Sequence, residues 1–279
     1  MMGRADDTAE TDDTAGSDHG MAGRAAEPQV IWARPERTGR GPRPAHSRAD
    51  IAAAAVRIAD ADGVDAVSMR RVAAELGCGT MSLYNYVPRK EDLYELMVDA
   101  VSGEYDLSGE ASPDDSDGSD GSDGDWRARM LALARQTRAI MHRHPWLARV
   151  MSSVHGFSPN ALRYLEHCLA VLEPLDAPHG TKLELVAAVN GAVMTSVANE
   201  LAVAERSRSL PWSQEQEQAA RGAYLAQQMA GGAYPRLARV LADTGAPADA
   251  DEVFERMMRR VLGAFGQPVA CSASAPDRP

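Results

Sequence analysis

Apolar and polar positions along the chain follow a helical repeat almost throughout, most sharply between Ser68 and Leu96. Ser68 is a good N-cap, Met69, Val72, Ala73 and Leu76 recur at helical spacing, and Gly77 supplies a left-handed stop. A second helix starts at about Thr80, too close for anything but an angled pair joined by a tight turn. With Leu83 and Val87 on its buried side, Met81, Ser82 and Asn85 fall opposite, flanked by Tyr84 and Tyr86. Upstream, Ser47 and Asp50 form a capping-box pattern opening a helix that carries Ile51, Ala55, Ile58 and Ala59 as far as Gly63. Downstream, Pro88 ends the second helix of the pair, and Glu91 and Asp92 suit the first turn of the next.

From Trp126 to Phe265 the repeat is again helical. The expected helices cover residues 126–142, 159–175, 181–206 and 252–265, with a break at His144, Pro145 and Trp146. Leu162, Leu165, Leu169 and Leu172 are the expected inner face of the second of these. The longest carries a ridge of Leu185, Val186, Val189, Val193, Val197 and Leu201. Beside it runs a lane of small residues, Ala188, Gly191, Ala192, Thr195 and Ala198, facing Val253, Met257, Val261, Leu262 and Phe265 of the last helix. Two such helices per subunit can pair with their copies as a four-helix bundle. The fold class expected is all-α: an N-terminal three-helix unit with a helix-turn-helix, then a C-terminal helical domain.

The outward face of the second helix of the pair lacks the Lys, Glu and Gln of a solvated surface. It suits a DNA major groove, because Asn bonds an adenine edge, Ser and Thr bond bases or phosphate, Met packs on a thymine methyl and Tyr reaches phosphate. The competing reading is a two-helix corner whose tyrosines are packing residues. Residues 48–104, with SMRRVAAELG, a turn, TMSLYNYV and PRKEDLYELMVDAV, resemble the DNA-binding domain of the TetR (tetracycline repressor-like) family of bacterial regulators. The segments WRARMLALARQTRAIMHRHPWLARV and SPNALRYLEHCLAVLEPL resemble that family's regulatory domain more loosely.

The resemblance implies a homodimeric transcriptional regulator, most simply a repressor, that binds a palindromic double-stranded operator and leaves it when a small-molecule effector binds. The expected DNA-binding residues are Ser68, Arg70, Gly79, Thr80, Met81, Ser82, Tyr84, Asn85, Tyr86 and Lys90; the lysine at position 90 is implied by the resemblance as a backbone contact. An effector pocket is also implied, with Asn190, Thr195 and Asn199 as polar candidates and Met141, Met194 and Trp146 as walls. Core packing and interface hydrogen bonds are the alternative roles for those six. The alternative function is a helical carrier or interaction protein without specific operator binding.

Composition adds the domain plan. The net charge of -11 seems wrong for a DNA binder, but residues 1–27 carry -5 and residues 108–125 carry -7. DNA affinity follows where cations meet phosphate, not the total. Residues 1–29 read as a disordered acidic tail, 30–46 as a flexible basic arm, and 47–107 as the DNA-binding domain. Residues 108–125 read as an acidic linker, 126–266 as the effector and dimerisation domain, and 267–279 as a second tail. The arm, with Arg34, Arg37, Arg40 and Arg43, is either a minor-groove or backbone reader or a soluble leader. The Asp-Gly repeats of the linker lack the closing Glu of a calcium loop.

Cys78, Cys168 and Cys271 have no CxxC spacing and the N-terminus is acidic, which reads as a cytoplasmic protein without a signal peptide. No run is expected to reach the length of a membrane span, and Asn190 and Thr195 interrupt the most apolar stretch. His142, His144, His155, His167 and His179 have no Cys or carboxylate at ligand spacing, so no metal and no cofactor are expected. No GxSxG, HExxH or phosphate loop occurs, and an enzyme is not expected. The low aromatic content argues against a large aromatic cage for the effector.

Overall fold

The computed structural model describes residues 30–34, 46–108, 125–151, 157–243 and 249–265. The expected tail at 1–29, the arm's Arg37, Arg40 and Arg43, His155, Cys271, most of the acidic linker and the tail at 267–279 lie outside the described residues. Within them the protein is helical, with no strand.

Three helices build the first unit: α1 (Arg48–Asp62), α2 (Met69–Glu75) and α3 (Thr80–Tyr84). The α1 start is a complete capping box, with Ser47 Oγ accepting from Asp50 N and Asp50 Oδ2 accepting from Ser47 N at 2.8 Å. The end of α2 is a Schellman turn: Cys78 N–H bonds Ala73 O at 2.9 Å, Gly77 N–H bonds Ala74 O at 3.1 Å, and Gly77 has φ +67°. That turn sets the α2–α3 angle. Arg71 is paired with Asp62, and Arg57 with Glu75 at 3.4 Å, so two ion pairs tie α2 to α1. The helix α3 is shorter than expected and ends at Tyr84 rather than at Pro88. Asn85 and Tyr86 continue as a turn, because Pro88 disfavours helical geometry at Val87.

Helix α4 (Lys90–Ser102) belongs to both domains. Leu93, Leu96, Met97, Val98 and Val101 are buried, with α1 packed on one side and α7 (Pro159–Val171) on another. The second domain adds α5 (Asp125–Arg143), α6 (Leu147–Val150) and α8 (His179–Ser209). It also contains α9 (Gln214–Ala230), α10 (Pro235–Asp243) and α11 (Ala250–Ala264). Helix α8 packs on α5, α7 and α11 through the expected ridge from Leu185 to Val197.

Two expected faces are rotated. Helix α7 buries Tyr164, Cys168, Val171 and Leu172 while Leu162 is exposed, because Tyr164 finds a hydroxyl partner inside and Cys168 packs as a small apolar group. Helix α11 buries Phe254, Met258 and Leu262 and leaves Val253 exposed with Met257 and Val261 half-buried. The expectation about membrane length is also corrected: α8 has 31 residues and is apolar enough to span a bilayer by length and composition. Its buried apolar residues, Leu185, Val186, Val189, Val193 and Val197, pack on α5, α7 and α11, and it carries a buried Lys182 and an ion-paired Glu200.

Residues Val30–Arg34 are docked, against the expectation of a flexible arm beginning at 30. They form one 3-10 turn with Ile31 only 1% exposed in the core. Burying Ile31 and half of Trp32 outweighs the freedom that the neighbouring prolines and glycines would allow.

Polar contacts, centred on the buried His144 and Trp146, join the domains. His144, 7% exposed, places Nδ1 at 2.7 Å from Asp60 of α1 and Nε2 at 3.0 Å from Glu104 just beyond α4. Trp146 Nε1 donates to the same Asp60 oxygen at 2.7 Å, and Arg149 bonds Asp65 through two nitrogens. Asn160 donates its backbone N–H and its amide to Asp99 of α4. Sequence spacing gave His142 and His144 no acidic partner, but the fold supplies carboxylates from distant elements, Glu200 in the case of His142.

Burial opposes ionisation of Glu104, but the Arg143 hydrogen bond and the nearby His144 outweigh it, so its pKa lies below the ordinary 4.5. Glu200 is lowered in the same way: burial raises it, and hydrogen bonds from His142, Arg138 and Ser196 prevail. A lowered folded pKa contributes stability that is complete above the unfolded value and lost as pH falls through the folded one. Urea midpoints should therefore decline below about pH 4.5. Glu104→Gln should show a lower midpoint at pH 7 and a shallower acid decline. At the helix turn, Gly77→Ala should cost about 1 kcal/mol in urea unfolding, since only glycine accepts a positive φ without strain.

Candidate DNA-reading face and effector cavity

Leu83 and Val87 anchor α3 inward, and the opposite side is open. Met81 is 77% exposed, and Ser82, Tyr84 and Asn85 are exposed with it, forming the strip of thioether, hydroxyl, phenol and amide expected from the sequence. Gly79 is exposed as the N-cap of α3, Thr80 is half-buried at its first position, and Tyr86 is half-buried against the core. Ser68 is exposed, but its hydroxyl accepts from Arg71 N as the cap of α2. Arg70 is exposed, whereas Arg71 is engaged with Asp62. Lys90 opens α4, is exposed, and lies 5.3 Å from the Tyr94 ring centre. Ser68 and Arg70 thus stand at the start of α2, the strip on α3, and Lys90 at the start of α4.

A cavity of about 430 Å³ lies on the other side of α4. Val98, Val101, Ser102 and Tyr105 line it from the first domain; Thr137, Ile140, Met141, Tyr164, Val186, Asn190 and Met194 line it from the second. Of the six expected effector residues, Met141, Asn190 and Met194 are in its wall. Trp146 is not: its ring is buried and its N–H is committed to Asp60. Thr195 is exposed and donates to Gly191 O, one turn back on its own helix. Asn199 lies in a separate shallow groove between α8 and α9. On a helix, only the turns facing α4 and α7 reach the cavity, and positions 195 and 199 point elsewhere.

The wall contains Trp32, Tyr105, Phe157 and Tyr164, four of the chain's 14 Phe, Trp and Tyr residues, so it holds several rings despite the low overall aromatic content. Its polar groups are sparse and mostly paired. Tyr105 OH is 3.0 Å from Thr137 Oγ1, Tyr164 OH donates to Asn190 Oδ1 at 2.8 Å, and the two tyrosine rings lie 4.5 Å apart. Burial pushes Tyr105 up to about 12, raises Tyr164 well above the ordinary value, and lifts the Cys168 thiol to about 11. The wall's tyrosine hydroxyls are therefore neutral hydrogen-bonding groups, and Cys168, buried behind them, is an inert thiol. Among the described residues, no three His, Cys, Asp or Glu side chains gather to hold a metal.

An exposed strip on α3 and a partly open, largely apolar cavity lie on either side of α4. Residues 51–97 match the model of bacterial regulatory proteins of the tetR family, and residues 119–263 match that of the tetracyclin repressor-like C-terminal domain. The chain belongs to the TetR family: it is a DNA-binding transcriptional regulator and not an enzyme. It is 34% identical over 249 residues to the HTH-type transcriptional repressor DrrR1 of Streptomyces coeruleorubidus, covering 86% of this chain and 88% of that one. An HTH-type transcriptional regulator of Saccharopolyspora erythraea is 34% identical over 173 residues, 62% of this chain and 68% of the relative. ActR of Streptomyces coelicolor, crystallised in complex with actinorhodin, shares the fold with a TM-score of 0.58 and 22% identity. That alignment covers 79% of this chain and 95% of ActR.

The Tyr164–Asn190 bond can be tested on its own. Asn190→Ala should cost about 1 kcal/mol in thermal or urea unfolding, by leaving a buried hydroxyl short of an acceptor. Tyr164→Phe in the same chain should recover part of that cost, the signature of a coupled pair.

Proposed function

We propose that the protein is a homodimeric repressor that binds a palindromic operator in the cytoplasm and is released by a small, largely apolar effector bearing an aromatic ring. The observation that carries this reading is the position of α4, with the DNA-binding unit on one side and the cavity on the other. In its support, ActR, of the same fold, has been crystallised with actinorhodin, and DrrR1 is named a repressor. The sparse hydroxyl and amide groups of this cavity suit a ligand with few polar atoms.

Dimerisation is supported by the outward side of α8 and α11. Gly191, Thr195 and Ala198 on α8 are exposed small residues, and Val253 on α11 is an exposed apolar one, so a second copy could approach closely there. Two reading heads about 34 to 36 Å apart would meet successive major grooves. Ser82, Met81 and Asn85 read bases in this account, while Tyr84, Arg70 and Lys90 hold phosphate. Thr80, Gly79 and Ser68 shape the approach, and half-buried Tyr86 supports it.

The test is a gel shift with the promoter beside the protein's own gene, in parallel with random duplex. Asn85→Ala should lose about 1 to 3 kcal/mol of specific binding while nonspecific binding stays unchanged. Lys90→Ala should weaken all duplexes alike and flatten the salt dependence by about one unit of slope. Equal affinity of the native protein for promoter and random duplex would instead indicate a carrier or interaction protein of the same fold.

A further inference from the structure

The cavity has a wall that neither matched family segment contains. Those segments begin at residue 51, whereas Val30 and Trp32 line the cavity from upstream of the DNA-binding domain. The short segment is held at three points. Ile31 is buried in the core, the turn closes through Ala33 N to Val30 O at 3.1 Å, and Arg48 Nη1 of α1 donates to Arg34 O at 2.9 Å. Trp32 itself is only half-buried, though it packs against the core, so part of its ring is left for another apolar surface to cover. Indole is the largest flat apolar surface a side chain can offer, and it prefers offset or edgewise contact with another ring.

We propose that Val30–Arg34 is an integral part of the effector site: Ile31 anchors it, and Trp32 is the ring against which a planar aromatic portion of the ligand packs. Ligand selectivity is then set in part by residues ahead of the DNA-binding domain. This rests on reading the cavity as the effector site, and the test separates the two.

The probe is N-phenyl-1-naphthylamine, a neutral planar fluorophore that brightens in apolar cavities, titrated into the full-length protein. Ala161→Trp fills the cavity from α7 and should abolish the brightening. Trp32→Ala should weaken binding about tenfold, and Trp32→Phe, which keeps a ring, by no more than about threefold. Circular dichroism melts of both Trp32 variants should stay within a few degrees of the native protein, because the side chain lies at the edge of the core. If Ala161→Trp abolishes binding but Trp32→Ala binds as well as the native protein or better, the cavity stands and the N-terminal wall is overturned. If Ala161→Trp leaves binding unchanged, the cavity reading fails and the proposal fails with it.

Discussion

Helix α4 cannot move for one domain alone. Its 13 residues form a rod of about 20 Å, with α1 seated on one side and α7 and the cavity on the other. Leu93, Leu96, Met97 and Val101 are buried, so any tilt opens apolar surface somewhere unless both neighbours follow. Lys90 and the groove-facing strip lie at its start, while Ser102 and Tyr105 lie at the cavity end. In the proposed switch, displacement at the cavity end of α4 would be passed to its start as reorientation of the α2–α3 pair.

The polar bridges decide how that displacement is shared. Asn160 grips Asp99 on the far half of α4, and His144 spans Asp60 and Glu104, so α1 and the end of α4 are both fastened to the second domain. Of these groups His144 is buried while Asp60 and Glu104 keep part of their side chains in solvent, so each bridge adds little net stability, and removing a carboxylate strips the buried imidazole of its partner. Their directional geometry is satisfied in this relative placement of the domains. Apolar packing alone would hold the domains together with less discrimination, because it tolerates small slides.

The parts legible in the sequence were those written locally. Ser47 with Asp50, Ser68 and Gly77 are capping signals whose partners lie within a few residues, and the outward strip follows from the positions of Leu83 and Val87. The rest depends on partners far along the chain. His144 meets Asp60, Trp146 is diverted from the cavity by the same carboxylate, and Trp32 is drawn into the cavity wall from a stretch that reads as an arm. The inner face of α7 was misread because counting aliphatic residues overlooks Tyr164 and Cys168, which go inside once a hydroxyl partner exists. Helices α9 and α10 expose Tyr224, Leu225, Leu237 and Val240, a reminder that a repeat shows amphipathicity without naming what covers it.

The central claim is that filling the cavity changes the separation of two DNA-reading heads through α4. The most direct measurement is the spin–spin distance between nitroxide labels at position 84 of the two copies, in a cysteine-free background, with and without a ligand that dissociates the operator. The account predicts a distribution near one helical repeat in the free protein, moved by several ångström on ligand binding. An unchanged distance while the operator is released, or no intermolecular distance at all, would contradict it.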